Sequence, residues 1–333
     1  MASDLENPVF TDEKAARAYL EAQRWPDGPY CPHCGATENI TKLQGKSHRP
    51  GLYQCNGCRG HFSVTIGTLL ERSHIPLHKW LLAFHLLSSS KKGMSGHQFA
   101  RMLGLSYKSA WFMAHRIRAA MNGAADDPGG LGGEGKVVEA DETYFGKQEN
   151  PEPSPQRKDR PYTKGGRSGP SGKRAIVGLV ERGGKARTFH VAHADAETVK
   201  TILRTNASRK SKLMTDESKL YTQIGTEYAR HGTVNHSAGE YVGFDDAEKH
   251  TQAIDGYFGL FKRGMKGIYQ HCGEQHMHRY LAEFEFRYNT RIALGMNDAE
   301  RALVALKGIE GKRLTYRRPD ETRNPQAEAT PAS

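Results

Sequence analysis

Cys31, Cys34, Cys55 and Cys58 stand as C-x2-C, twenty residues, C-x2-C. Two residues between cysteines let both thiolates of a knuckle reach one ion, and two knuckles complete a closed tetrahedral zinc site. Gly35 and Gly57 sit at the knuckles, where tight turns favour a residue without a side chain. Two disulfides or four free thiols are the other readings, and nothing else in the chain looks secreted. His33 and His61 are surplus to four thiolates, and His61, beside Phe62, is expected to be half-buried. A closed four-cysteine site is structural, so chemistry must lie elsewhere. Three carboxylates are candidates: Asp141 in VVEADETYF, Asp216 in LMTDESKLY and Asp255 in TQAIDGYFGLFKR. Carboxylates from separate elements are what two Mg²⁺ (or Mn²⁺) ions about 3.5–4 Å apart need for in-line phosphoryl transfer. Asp255 and Lys262 are seven residues apart, close to two helical turns, so they share a face. A lysine there holds a phosphate near the acids, and Arg263 and Lys266 extend the positive stripe. Strand alternation puts Glu139 on the face of Asp141, as a weaker candidate ligand, and turns Glu142 to the opposite one. His236 and His250 flank the same region as auxiliary candidates for contact with a phosphate or a metal-bound water.

The elements that must position these groups follow from period and turn signals. Residues 11–24 predict an amphipathic helix capped by Thr11, with Ala15, Ala18 and Tyr19 inward, ended at Trp25-Pro26. Strand-like stretches at 51–54 and 61–66 belong to the ribbon. Helical spacing recurs at 77–90, then 96–103 up to Gly104, then from a Ser106 cap through Met121. Helix, glycine turn, helix is the helix-turn-helix pattern. In that geometry the second helix offers Lys108, His115, Arg116 or Arg118 to a DNA groove. Residues 123–135 read as a glycine-rich linker, and 146–173 as a long mobile basic loop. Strands are expected at 137–145, 174–180, 186–191, 212–215 and 233–235, and helices at 194–205, 250–264 and 274–291. Three strands, helix, strand, helix, strand, helix is the order of an RNase H-like domain, a mixed five-stranded sheet with helices on both faces. That fold brings the first strand, the end of the fourth and the last helix together, and with them the three acids.

Lys and Arg exceed Asp and Glu by 48 to 37, a formal charge of +11 that favours a polyanionic partner. No run of eighteen apolar residues predicts a membrane span, and the N-terminus lacks the pattern of a signal peptide, so a cytoplasmic, nucleoid-associated location is expected. The expected division is an N-terminal helix at 1–27, the ribbon at 28–70, the helix-turn-helix-like module at 74–122 and the linker at 123–135. The RNase H-like domain follows at 136–295, then a C-terminal extension at 296–333, disordered from about 317.

The segments RWPDGPYCPHCG, VVEADETYFGK, AIVGLVERGGKAR, TDESKLY, VNHSAGEYV, HTQAIDGYFGLFKRGMKG and RYLAEFEFRYNTR fall in order across residues 24–291. In them the chain resembles bacterial insertion-sequence transposases with an N-terminal zinc ribbon and a DDE catalytic domain, the ISXO2-like family. The resemblance implies that Asp141, Asp216 and Asp255 take the three acidic positions and Lys262 that of the downstream lysine. Asp stands at the third position, where the family typically has Glu or Asn. The implied activity is metal-dependent cleavage at the transposon's terminal repeats followed by strand transfer into target DNA. The implied assembly is a homodimer or higher oligomer on DNA. Two other readings fit the same residues: a catalytically inactive, domesticated DNA-binding protein, and a metal-dependent nuclease without joining activity.

Overall fold

The computed structural model describes residues 4–125, 129–149, 172–244 and 246–315. Helix α1, Glu13–Arg24, starts one residue later than Thr11 predicts: Asp12 caps it, accepting from the Ala15 N–H at 2.6 Å. The register follows that cap. Ala16 and Leu20, four apart on one face, are buried, whereas Ala18 is exposed and Ala15 and Tyr19 only half-buried. The ribbon that follows has three short antiparallel strands, β1 (Ile40–Lys42), β2 (Tyr53–Cys55) and β3 (His61–Phe62), of which β1 carried no sequence signal. Phe62 is buried and stacks on Tyr53 at 5.6 Å, while Trp25 meets both rings edge-on. Alternation then turns His61 outward, so it is exposed and not half-buried.

Helices α2 (Leu77–Ser89), α3 (Gly96–Leu103) and α4 (Tyr107–Met121) follow the predicted spacing closely. Ser95 and Ser106 cap α3 and α4 by accepting from the Gln98 and Ser109 N–H groups. Gly104 ends α3 at φ +61°, the left-handed conformation that a glycine adopts without a steric penalty.

The larger sheet comprises β4 (Val137–Lys147), β5 (Lys173–Glu181), β6 (Ala186–Val191), β7 (Lys212–Asp216) and β8 (Arg230–Val234). Helix α5 (Ala196–Asn206) joins β6 to β7, and the short α6 (Thr222–Gly225) joins β7 to β8. Helices α7 (Gln252–Gly264), α8 (Met277–Asn289) and α9 (Asp298–Lys307) follow the sheet among the described residues. The strand order is β6-β5-β4-β7-β8; β4 is antiparallel to β5 and parallel to β7. This is the mixed five-stranded RNase H-like sheet. Val138, Ala140, Val177 and Leu179 face α5 and Tyr221 on one side. Ile176 and Val180 face α7 and α8 on the other.

One glycine sets how closely α7 approaches. Gly178 is the cross-strand partner of Asp141, and a Cβ there would lie 2.6 Å from the Phe258 ring and 3.2 Å from Ile254. The missing side chain therefore lets α7, with Asp255, settle against the sheet beside Asp141.

The expected loop at 146–173 and disordered tail from 317 fall largely or wholly outside the described residues. Helix α9 occupies the first part of the extension expected at 296–333. Asn297 and Glu300 form a capping box, and Ala305, Leu306 and Ile309 are buried. Their core also contains Cys31 and Cys55, α1, α2, α3 and α4. Leu131, in the glycine-rich stretch, is buried in the sheet core and pairs with Ala207.

Candidate functional site

The four ribbon sulfurs lie within 4.8 Å of one another, with Cys31–Cys58 at 3.6 Å and Cys34–Cys55 at 3.7 Å. A tetrahedron with Zn–S bonds of about 2.3 Å has edges near 3.8 Å, so the cluster fits one zinc ion with no room for a fifth ligand. Cys31 and Cys55 are fully buried, and Cys34 and Cys58 are exposed. His33 makes a contact to the His61 carbonyl at 3.3 Å and stays outside the four-sulfur set.

The acids converge at one end of the larger sheet. Asp141 is pushed up to about 8 by burial, by the charge of Glu142 and by those of Asp216 and Asp255. Burial also raises Glu142, to about 7, and its carboxylate meets the buried Tyr221 hydroxyl on the far face, as strand alternation predicts. Asp216 is raised by burial and by Glu217 and Asp255, while the Ser218 N–H bonds its Oδ1 at 3.0 Å. Thus three carboxylates from β4, β7 and α7, 75 and 39 residues apart in sequence, feel one another's charge. The group is more open than the sulfur cluster, which alone among the described residues closes to within 4.8 Å.

Asp255 is exposed and its Oδ2 accepts from the Thr251 hydroxyl at 3.0 Å; Thr251 Oγ1 in turn faces His236 Nε2 at 3.1 Å. With the hydroxyl proton on Asp255, the imidazole is the donor of the second bond. Glu217 anchors the turn that carries His236, accepting from the His236 N–H, the Ser237 N–H and the Ser237 hydroxyl. The Ser237 hydroxyl bond, with these backbone donors, holds Glu217 down to about 2. Lys262 is half-buried; burial lowers its ammonium, and the charges of Asp141 and Asp255 act against that. His250 sits one step back, with Nδ1 at 3.3 Å from Glu139. Glu139 itself is fully buried and fully engaged. It accepts from Arg182 at 2.5 Å and from the Ala253 and Ile254 N–H groups at 2.8 and 3.0 Å. It is therefore the anchor of the α7 N-terminus and not a free ligand. The sequence offered no sign of this role, because its partners come from β5–β6 and α7.

The helical module corrects two expected groove contacts. His115 is buried between Trp111 and His276, and burial holds it down to about 2, neutral at any working pH. Arg118 is buried against α8, where its Nε meets Glu283 at 2.5 Å; Glu283 also binds Arg287 and Tyr269. Both residues lie on the α4 face that packs on α8, so neither reaches a groove. Arg116 is half-buried over the Phe112 ring. Lys108, Arg263 and Lys266 are exposed.

A zinc-ribbon segment joined to an RNase H-like domain defines the class of this protein. Residues 131–289 match the ISXO2-like transposase domain, and residues 11–61 match the transposase zinc-ribbon domain. With both matched in order, the chain belongs to the ISXO2-like transposases. An uncharacterized protein in transposable element ISH50 of Halobacterium salinarum is 27% identical over 293 residues, 84% of this chain and 92% of that protein. The Mos1 transposase paired-end complex with left transposon end aligns at 12% identity and a TM-score of 0.19 over 62% of this chain and 78% of that one. A pre-cleavage Mos1 transpososome aligns at 10% identity and 0.20, over 62% and 75%. At such scores these two alignments carry no argument about this chain. Among the described residues, no helix is long and apolar enough to cross a membrane.

Proposed function

We propose that this transposase cuts DNA at the terminal repeats of its insertion sequence and joins the freed 3′-ends to target DNA, with Asp141, Asp216 and Asp255 as the catalytic acids. The observation that carries this reading is the meeting of Asp141, Asp216 and Asp255, from β4, β7 and α7, at one end of the sheet, where burial first, then the charges of Glu142, Asp216 and Asp255, push Asp141 up to about 8. An all-oxygen donor set under such repulsion suits hard divalent cations. Asp141, Asp216 and Asp255 would hold Mg²⁺ or Mn²⁺, and two such ions supply activation of the attacking oxygen and stabilisation of the leaving 3′-oxygen.

The rest is done by the chain. Thr251 and His236 orient Asp255 through their hydrogen bonds. Glu139 fixes the start of α7. Lys262 neutralises the phosphate under attack. Lys108, Arg263 and Lys266 take backbone phosphates further along the duplex, a salt-dependent interaction. Holding two transposon ends calls for a dimer or larger assembly on DNA.

The test is cleavage and strand transfer on labelled DNA ends taken from the sequence flanking the gene, with Mg²⁺ present or omitted. Wild type is expected to cut and join only with Mg²⁺. Asp141→Ala, Asp216→Ala and Asp255→Ala are expected to bind the ends yet lose cleavage about a thousandfold or more, the scale of removing one member of a catalytic unit. Cutting without joined product would establish a nuclease, and binding without cutting an inactive DNA-binding relative. Full activity in any of the three variants would remove that acid from the site.

A further inference from the structure

We propose that the cleft between α3, α4 and the turn after α7 is a pocket for one extrahelical nucleobase of the bound DNA. This rests on the transposase reading above. The cleft encloses about 460 Å³, the size of a small-ligand site. Trp111 and Tyr280 line it, and Tyr107 lines it while remaining 48% exposed, stacked on His97 at 4.2 Å. Exposed Gln98 and Gln270 add amide donors and acceptors.

The charges favour a base over a phosphate. Arg118, the arginine that lines the cleft, is buried and already engaged by Glu283, a carboxylate it shares with Arg287. His115, behind Trp111, is buried and uncharged. A phosphate calls for an available cation, whereas a flat uncharged heterocycle calls for ring faces and amides.

The backbone is shaped for the cleft as well. Residues Met265–Tyr269 form a single π turn, a feature frequent at functional sites. It ends at Gln270 with φ +59°, a left-handed conformation that a side chain disfavours. The Tyr269 hydroxyl ties this turn to Glu283 and accepts from the Met94 N–H at 3.3 Å, which fixes one wall of the cleft to the helical module. Gly267, in the same wall, is only five residues beyond Lys262, so the cleft adjoins the acid group along the chain.

The experiment titrates full-length protein, at fixed salt, with duplexes of the element's end, each carrying one mismatched pair at a successive position. A mismatch lowers the cost of extruding a base. At one position it is expected to tighten binding several-fold, and an abasic site there is expected to abolish the gain. Tyr107→Ala and Trp111→Ala should lose this preference and bind the intact end roughly tenfold more weakly, the scale of one base–aromatic stack. Tyr107→Ala changes a half-exposed ring, so an unchanged melting temperature separates lost base contact from lost folding. If wild type prefers its own end to unrelated DNA but no position tightens, or if both variants keep the preference, the cleft holds no base. If wild type shows no preference for its own end, the transposase reading fails and takes this inference with it.

Discussion

Asp141 is both the acid with the largest cost of ionisation and the one most central to the proposed chemistry. Its carboxyl rises from 3.8 to about 8 because burial and three neighbouring carboxylates oppose its charge. Without divalent metal, the folded chain therefore holds this proton more tightly than the unfolded chain does. Stability from this group is complete below about pH 4 and is lost as pH climbs through about 8. Glu142, raised to about 7, acts in the same direction. Asp141→Asn is expected to melt above wild type at pH 8 in Mg²⁺-free buffer, by about 2–4 °C per kcal/mol relieved. The gap should vanish at pH 4, and Mg²⁺ should stabilise wild type but not the variant. Differential scanning calorimetry across pH checks this, with chelator omitted so that zinc stays bound. A variant no more stable than wild type at pH 8 would mean that the carboxylates do not oppose one another.

At the scale of elements, the approach of α7 to β5 decides whether the third acid reaches the other two. Gly178→Ala places a methyl where the Phe258 ring now lies, and ring and helix must move. We expect a loss of about 1–3 kcal/mol in urea denaturation, the usual cost of overpacking. We also expect Mg²⁺-dependent cleavage to fall more than DNA binding, because Asp255 moves with α7; equal losses would argue against this positioning role. Such consequences show what could be read in advance. The placement of Asp141, Asp216, Asp255 and Lys262 on β4, β7 and α7 was legible, because strand and helix periods operate within short segments. Glu139 was not, since its burial depends on Arg182, His250 and the first N–H groups of α7. His115 and Arg118 were misread for a similar reason. A basic stripe on an isolated helix suggests solvent or DNA, but here Glu283 on α8 supplies the counter-charge from 165 residues away.

At the scale of the whole molecule, the ribbon is not an independent bead. Its buried cysteines share one core with Ala16 and Leu20 of α1, Trp80 and Phe84 of α2, Phe99 of α3, Ile117 of α4 and Leu306 of α9. The chain end closes this assembly: Leu69 N–H donates to the Ile309 carbonyl and Gly311 N–H to that of Gly67, both at 3.0 Å. Arg301 on α9 reaches the carbonyls of Ser88 and Thr290, linking α2 to the segment after α8. The C-terminal part of this arrangement was invisible in advance, because α9 buries its apolar residues chiefly against α2 and α4, which lie far earlier in the chain. Zinc should therefore stabilise far more than the three short strands around it. Removing it with a zinc-selective chelator, or by Cys31→Ser, is expected to expose amides of α1, α2, α3 and α9 to hydrogen exchange together. The larger sheet, with its own two cores, should stay protected. Binding to the element's ends should fall in parallel with that exposure. If exchange rises only within residues 28–70, the ribbon unfolds alone, and the shared core contributes little to holding the helices in place.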